Sequence, residues 1–322
     1  MSPRADAPGE VAITLVPLSG VQHSIVAGTF RATISEVGGT LRSFTDGGID
    51  VVDGFPLDEM STAGRGQILA PWPNRLADGR FSADGHDATA ALDEPSRGNA
   101  IHGLVRWLPW RHLSGDESAV VLGCVLHPQP GYPWRLALRV AYELGLDGLT
   151  VTTTAENRSD RPAPFGIGFH PYVTLGTGID EAFLTIPAAS RLLSDERGLP
   201  TTEVPVAAST FDFTNRRQIG ATQLDTAYSE LERGDDGRVR VVLEDPAGAE
   251  RVTVWADREF RHLMVYTGDT LEPVLRRRRG IAIEPMTCPP NALATGSGVI
   301  HLQPGGSWTA SWGIMKEGSR AG

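Results

Sequence analysis

Apolar and polar residues alternate over short stretches that recur along the whole chain, and a period of two is the mark of a strand with one buried face. Such β-like runs lie at residues 11–16, 30–34, 119–126, 135–144, 149–155, 182–186, 238–243, 251–255, 262–267, 281–283 and 307–314. Within 135–144 one face carries Leu136, Leu138, Val140, Tyr142 and Leu144, while Arg135, Arg139 and Glu143 fall on the other. That distribution predicts a half-buried antiparallel strand. Turn formers such as Asp46-Gly47-Gly48, Asp84-Gly85, Asp147-Gly148, Asp236-Gly237 and Pro304-Gly305-Gly306 separate the runs, and 37 Gly with 23 Pro leave no room for long helices. The best helical candidate is residues 221–232, where Leu224, Tyr228 and Leu231 follow i, i+4, i+7 spacing; it would be a satellite on a β core. No internal repeat, low-complexity tract or Gly/Ser linker marks a boundary. The expected architecture is one all-β, largely antiparallel sandwich over residues 9–316, with 1–8 and 317–322 as flexible termini.

Composition narrows the partners. The chain of 322 residues is 40% hydrophobic and 21% charged, which suits a large buried core. Its formal charge of −10, from 29 Lys plus Arg against 39 Asp plus Glu, repels phosphate backbones and anionic lipid, so neither nucleic acid nor membrane is an expected partner. The basic run Arg276, Arg277, Arg278 and Arg279 is either an anion contact or a solvated loop. Cys124 and Cys288 are too few for a disulfide framework and lack CxxC spacing. With no signal-peptide pattern at the start and no long apolar segment, the chain is expected to be cytoplasmic.

Four segments set polar side chains in rigid or apolar surroundings, where they are expensive without a purpose. In Gly-Gln-Ile-Leu-Ala-Pro-Trp-Pro-Asn-Arg, residues 66–75, two prolines stiffen the loop that delivers Asn74 and Arg75. The planar fork of Arg75 suits vicinal sugar hydroxyls or a carboxylate, although a surface ion pair is the plain alternative. In Asn-Ala-Ile-His-Gly-Leu-Val-Arg-Trp, residues 99–107, His102 precedes a glycine that permits close approach; alone, it reads first as a structural histidine. In Phe-Gly-Ile-Gly-Phe-His-Pro-Tyr, residues 165–172, Pro171 forces His170 into extended backbone, and an imidazole there suits acid or base work near neutrality. In Gly-Ile-Ala-Ile-Glu-Pro-Met, residues 280–286, an apolar strand ends in Glu284, whose burial would raise its proton affinity; its alternative is a salt bridge to one of the four arginines just before it. Asp225 either accepts hydrogen bonds from sugar hydroxyls or caps the helix expected there.

Taken in order, Pro-Trp-x-Asn-Arg, His-Gly, Phe-His-Pro-Tyr and the late Glu-Pro resemble the aldose 1-epimerase (galactose mutarotase) family over nearly the whole chain. The resemblance implies a β-supersandwich with the sugar in an open cleft, His170 and Glu284 as general acid and base, and Arg75, His102, Asp225 and Asn74 as hydrogen-bonding residues for a monosaccharide. It implies no cofactor and no metal. The chain departs from typical members after the first histidine, where residues 102–107 replace a longer glycine-rich stretch, so the resemblance does not extend to galactose itself.

On this basis the expected reaction is anomer exchange of a free aldose. One group removes the anomeric hydroxyl proton while the other protonates the ring oxygen, and the aldehyde recloses after rotation. Four rivals bear on the same residues. A glycoside hydrolase needs two carboxylates flanking the bond, here Glu284 and Asp225. A sugar-binding sandwich needs no catalysis. A metal site would use His102, His170 and Glu284. A hexose-6-phosphate epimerase would grip phosphate with Arg75, Arg106 or the basic run. Trp72, Trp107, Trp110 and Trp134 are candidate platforms for a pyranose face, although tryptophans more often simply fill a core.

Overall fold

The computed structural model of the chain describes residues 17–318. Two large sheets hold nearly all the secondary structure, and every named strand pair in them is antiparallel. In one, Leu136–Gly145 lies beside Gly148–Asn157, which in turn pairs with Ser307–Glu317, the strand that closes the chain against Arg251–Ala256. The other runs from Gln22–Ala27 through Thr40–Asp46 and Ile49–Val52 to Tyr172–Val173, Ile281–Met286, His262–Tyr266, Asp225–Leu231 and Ala188–Ser194.

The alternation read from sequence explains the packing. Leu136, Leu138, Val140, Tyr142 and Leu144 are all buried, and they share one continuous core with Ile25, Ile34 and Phe44 from the larger sheet. Each buried aliphatic or aromatic side chain contributes about 1.5–3 kcal/mol relative to exposure, so the interface between the sheets holds the fold. Tyr142 also spans it, its hydroxyl donating to Gly39 O at 2.6 Å. Turns fall where glycine allows positive φ; Gly47 (54°) and Gly48 (87°) join Thr40–Asp46 to Ile49–Val52 in a two-residue hairpin.

The expected run at 11–16 lies outside the described residues, and each of the other ten coincides with an observed strand. The helix expected at 221–232 does not exist. Asp225–Leu231 is a strand, paired on one side with His262–Tyr266 and on the other with Ala188–Ser194. Its four consecutive buried residues, Thr226 to Ser229, explain the error: both faces are covered, so burial continues without alternation and Leu224, Tyr228 and Leu231 mimic helical spacing. The α-helix present among the described residues is the single turn Ala292–Thr295.

Tyr142→Phe keeps the ring and strands the Gly39 carbonyl inside the core. Loss of that bond should cost about 1–3 kcal/mol. In urea denaturation the midpoint should fall with unchanged slope, and an unshifted midpoint would show that the bond between the sheets contributes nothing.

Candidate active site

The middle of the larger sheet is covered on both faces, and strand periodicity decides what points where. On Ile281–Met286 the side chains of Ile281 and Ile283 join the main core, whereas Ala282 packs with Tyr172 and Leu271, and Met286 packs with Ala227 and Met264. Glu284 therefore stands on the outer face. Register arranges that face in rows. Tyr172, Ala282, Tyr266 and Asp225 are successive cross-strand partners, and so are Glu284, Met264, Ala227 and Leu192. The pairs Gly168–Met286 and Tyr172–Ala282 share one register, which sets His170 opposite Glu284.

Two prolines let the side chains of His170 and Glu284 sit in mid-sheet. Ile283 N–H donates to Pro171 O (3.2 Å) and Thr287 N–H to Ile167 O (2.9 Å), so the intervening position on that side is Pro285, which has no N–H to give. His170 uses its backbone on the other side, donating to Gln67 O (3.2 Å) and accepting from Gly66 N–H (2.8 Å).

His170 Nε2 lies 3.2 Å from Glu284 Oε1, and both side chains are buried. His170 Nδ1 and Glu284 Oε2 have no hydrogen-bond partner in the protein. Burial, reinforced by the charges of Arg65 and Arg106, pushes the imidazole down to about 3. Burial, followed by the charge of Asp225 and opposed by Arg75, raises the Glu284 carboxyl well above its ordinary range. Each group thus favours its neutral form, and the pair holds one proton between the two atoms in contact.

All six residues singled out in the sequence line one cleft of about 590 Å³. Asn74 (φ 56°) and His102 (φ 64°) both adopt left-handed backbone and face each other. Their strain is offset by reciprocal bonds: His102 N–H donates to Asn74 O at 2.9 Å, and Asn74 N–H to His102 Nδ1 at 3.3 Å. Burial first, then the neighbouring His170, Arg106 and Arg75, holds His102 well below 6.5, so the ring is neutral with its proton on Nε2. Arg75 is gripped in bidentate fashion by Glu94, Nε to Oε2 at 2.9 Å and Nη2 to Oε1 at 3.0 Å. It is an ion pair, but one built into the cleft wall. Asp225 lies at the start of its strand with its side chain exposed.

Some expected assignments do not hold. Trp72, Trp110 and Trp134 are buried in the core, and Trp107, although half exposed, does not line the cleft; the aromatic rings that do are Tyr172 and Tyr266. None of the four consecutive arginines lines the cleft either, and none pairs with Glu284. Arg276 pairs with Glu59 (3.2 Å), Arg277 with Glu272 (2.5 Å), Arg278 with Asp269 (2.7 Å) and Arg279 with Asp53 (3.6 Å). Glu94, Met264, Tyr172 and Tyr266 carry cleft positions that sequence reasoning left unassigned. Tyr172 alone had a signal, its place two residues after His170. Among the described residues no three His, Cys, Asp or Glu side chains are grouped as metal ligands, and no helix is long and apolar enough to cross a membrane.

Residues 22–314 match the family model described as Aldose 1-epimerase. The chain is 34% identical over 295 residues to a protein of Escherichia coli strain K12 named as uncharacterized protein YihR, covering 91% of this chain and 92% of that one. It is 28% identical over 167 residues to the galactose mutarotase of Rattus norvegicus, covering 48% of this chain and 46% of that protein. The crystal structure of the GalM/aldose epimerase homologue from C. elegans superposes with a TM-score of 0.83 at 18% identity, over 93% of this chain and all (100%) of that one. The antiparallel supersandwich expected from the motifs is therefore the fold observed.

Gly103, next to His102, has φ +69°, and an added Cβ would lie 2.1 Å from Ala70 O. Gly85 has a similar φ (+74°) but open space around it. Gly85→Ala should cost about 1 kcal/mol, the penalty of left-handed backbone alone, and Gly103→Ala more than about 3 kcal/mol. Equal losses for the two in chemical denaturation would show that the backbones of residues 70 and 103 do not need to meet.

Proposed function

The chain belongs to the aldose 1-epimerase family, and from that premise we propose that it interconverts the α and β anomers of a free aldose, with His170 and Glu284 as the proton-transferring pair. The observation that carries this is the buried contact of 3.2 Å between imidazole and carboxyl, with one unpartnered polar atom left on each. Buried polar atoms without partners mark places where a ligand supplies the missing bonds. The anomeric hydroxyl and the ring oxygen share one carbon, so the acid and base that serve them belong side by side. A glycosidase instead sets two carboxylates about 5–9.5 Å apart across the bond. Here the neighbour of Glu284 is an imidazole, and Asp225 sits two strands away.

The proton count closes. Transfer of the shared proton to His170 gives carboxylate and imidazolium. Glu284 then removes the O1 proton as the bond from C1 to the ring oxygen breaks, and His170 protonates that oxygen. The pair ends as carboxylic acid and neutral imidazole, which is its favoured resting form, while the sugar is an open aldehyde. Rotation about C1–C2 and the reverse transfers complete the exchange. Arg75 with Glu94, His102 Nε2–H, Asn74 and Asp225 supply hydrogen-bonding groups for hydroxyls on one wall. Tyr266 and Met264 supply apolar surface for the C–H face.

Anomer interconversion of freshly dissolved α-glucose and α-galactose, followed by polarimetry or proton NMR, tests the proposal. Glu284→Gln and His170→Asn should each lower kcat by about 10²–10⁴. Wild-type rates in both variants would remove the pair from the reaction. A preference for a phosphorylated hexose over the free sugar would change the substrate class.

The pH profile is set by the same burial. kcat/KM reports the free enzyme, and the active pair carries one proton. A second proton must enter against an imidazole held at about 3, so the acid limb should lie well below 6.5, and the alkaline limb should lie above the ordinary carboxyl value of 4.5. The plateau therefore lies between an acid limb well below 6.5 and an alkaline limb well above 4.5. An acid limb at 6.5 would mean that His170 titrates as if exposed.

A further inference from the structure

A catalytic imidazole is usually oriented by a hydrogen bond to the nitrogen that does not react. His170 has no such fixed partner: Nδ1 is the unpartnered atom left for the ligand, and the neighbour of Nε2 is Glu284, which on the reading above itself gains and loses a proton. Its orientation must come from packing. The Tyr172 ring stacks on it at a centroid distance of 5.0 Å and 20° between planes, and His102 meets it edge-on at 5.4 Å. Gly64 closes a third side. With φ +73°, an added Cβ there would be 2.5 Å from His170 Cδ2.

What holds Tyr172 is more unusual. The Arg65 guanidinium lies over its ring, 4.6 Å from the centroid, and Arg65 is buried to 1% exposure. Arg65 donates from Nε to Asp53 O (2.8 Å) and from Nη2 to Asp53 Oδ2 (3.1 Å), and Asp53 is itself buried. The Tyr172 hydroxyl donates to Ala63 O at 3.1 Å, tying the ring to the segment that carries Gly64 and Arg65. Burying an ion pair adds little stability over apolar residues of the same volume, so stability alone does not account for an arginine here. A cation fixed over an aromatic face does hold that face in place.

We propose that Tyr172, backed by the buried Arg65–Asp53 pair, is the positioning residue that keeps the His170 imidazole aligned with Glu284, supplying by ring stacking the fixed orientation that a hydrogen bond to a non-reacting group would otherwise give. This rests on the acid and base roles proposed above. Tyr172 touches the sugar site as well, so lost activity alone would not distinguish positioning from substrate contact.

The test compares Tyr172→Leu, which removes the ring, with Tyr172→Phe, which keeps it and loses only the bond to Ala63. Tyr172→Leu should lower kcat by about 10–100-fold with KM changed less than about threefold, because a misplacement of about 1 Å in a reacting group carries a penalty of that order. Tyr172→Phe should recover at least about tenfold of that loss. Side-chain NMR of the histidines, with the His170 signal assigned by its absence in His170→Asn, should show one sharp ring environment in wild type and Tyr172→Phe, and a broadened or doubled one in Tyr172→Leu. A KM rise that accounts for the whole effect, or a sharp unshifted His170 signal in Tyr172→Leu, would overturn the proposal. Failure of the wild type to accelerate anomer exchange would sink the epimerase reading separately, and the imidazole spectrum would still decide whether Tyr172 positions the ring. If Tyr172→Leu does not fold, Arg65→Met, which removes the cation and leaves the ring, takes its place; its His170 signal should broaden, and a sharp one would overturn the role of the buried pair.

Discussion

The structure depends on one register. Between residues 168–173 and 281–286 a single antiparallel alignment puts His170 against Glu284, and a slip of one residue in either strand would turn its own side chain of the pair toward the hydrophobic core. That alignment is fixed from inside, because Ile281, Ile283, Phe169 and Val173 must all face the main core at once. Placement of the polar pair is thus enforced by apolar burial on the opposite face. Prolines at 171 and 285 fit the same arrangement, since one side of the ladder lacks a donor where the imidazole needs room.

The register also sets the electrostatics. A strand in the middle of a sheet is covered by neighbours on both edges, and here its outer face is buried too, so Glu284 and His170 lose water together. Either group alone would carry a severe desolvation penalty if charged. Side by side they share a proton and remain neutral as a unit, which is why burial shifts them in opposite directions without leaving an uncompensated charge. The arginines nearby are handled differently. Arg75 is held by Glu94 and Arg65 by Asp53, which leaves the Glu284 carboxyl free of a fixed cation.

How much of this could be read in advance follows from the range of the interactions. Half-buried strands such as Leu136–Gly145 announce themselves, because their two faces meet different surroundings. Asp225–Leu231 did not, because sheet neighbours and a covered outer face erase the alternation that local pattern relies on. The residues chosen for the site stood out as polar groups among prolines, glycines and apolar residues, and all six line the cleft. Their roles there are the substance of the proposal. Glu94 was invisible, since nothing in Leu92-Asp93-Glu94-Pro95 says that a carboxylate will meet Arg75 across the chain. The tryptophans were ambiguous for the converse reason. Large aromatic rings serve a core as well as a sugar, and here three of them fill the core.

The cleft is divided between two kinds of backbone, and the division bears on how chemistry and selectivity separate. Glu284, Met264, Tyr266 and Asp225 stand on sheet rungs, and His170 is locked to the same rungs by strands on either side of it. Their spacing follows from strand geometry and cannot change without unpairing the sheet. Asn74, His102, Glu94 and Arg106 project instead from loops or short two-stranded pieces, joined by reciprocal hydrogen bonds and by the Arg75–Glu94 and Arg106–Asp93 ion pairs. A loop wall of that kind accepts changes in length and residue type while the floor stays fixed. The stretch at 102–107 that departs from typical galactose mutarotases falls on this wall. It contributes His102 and Arg106 to the cleft and leaves the His170–Glu284 pair untouched. Under the proposed function, variation there would alter which hydroxyls are recognised, while proton transfer would remain the property of the sheet.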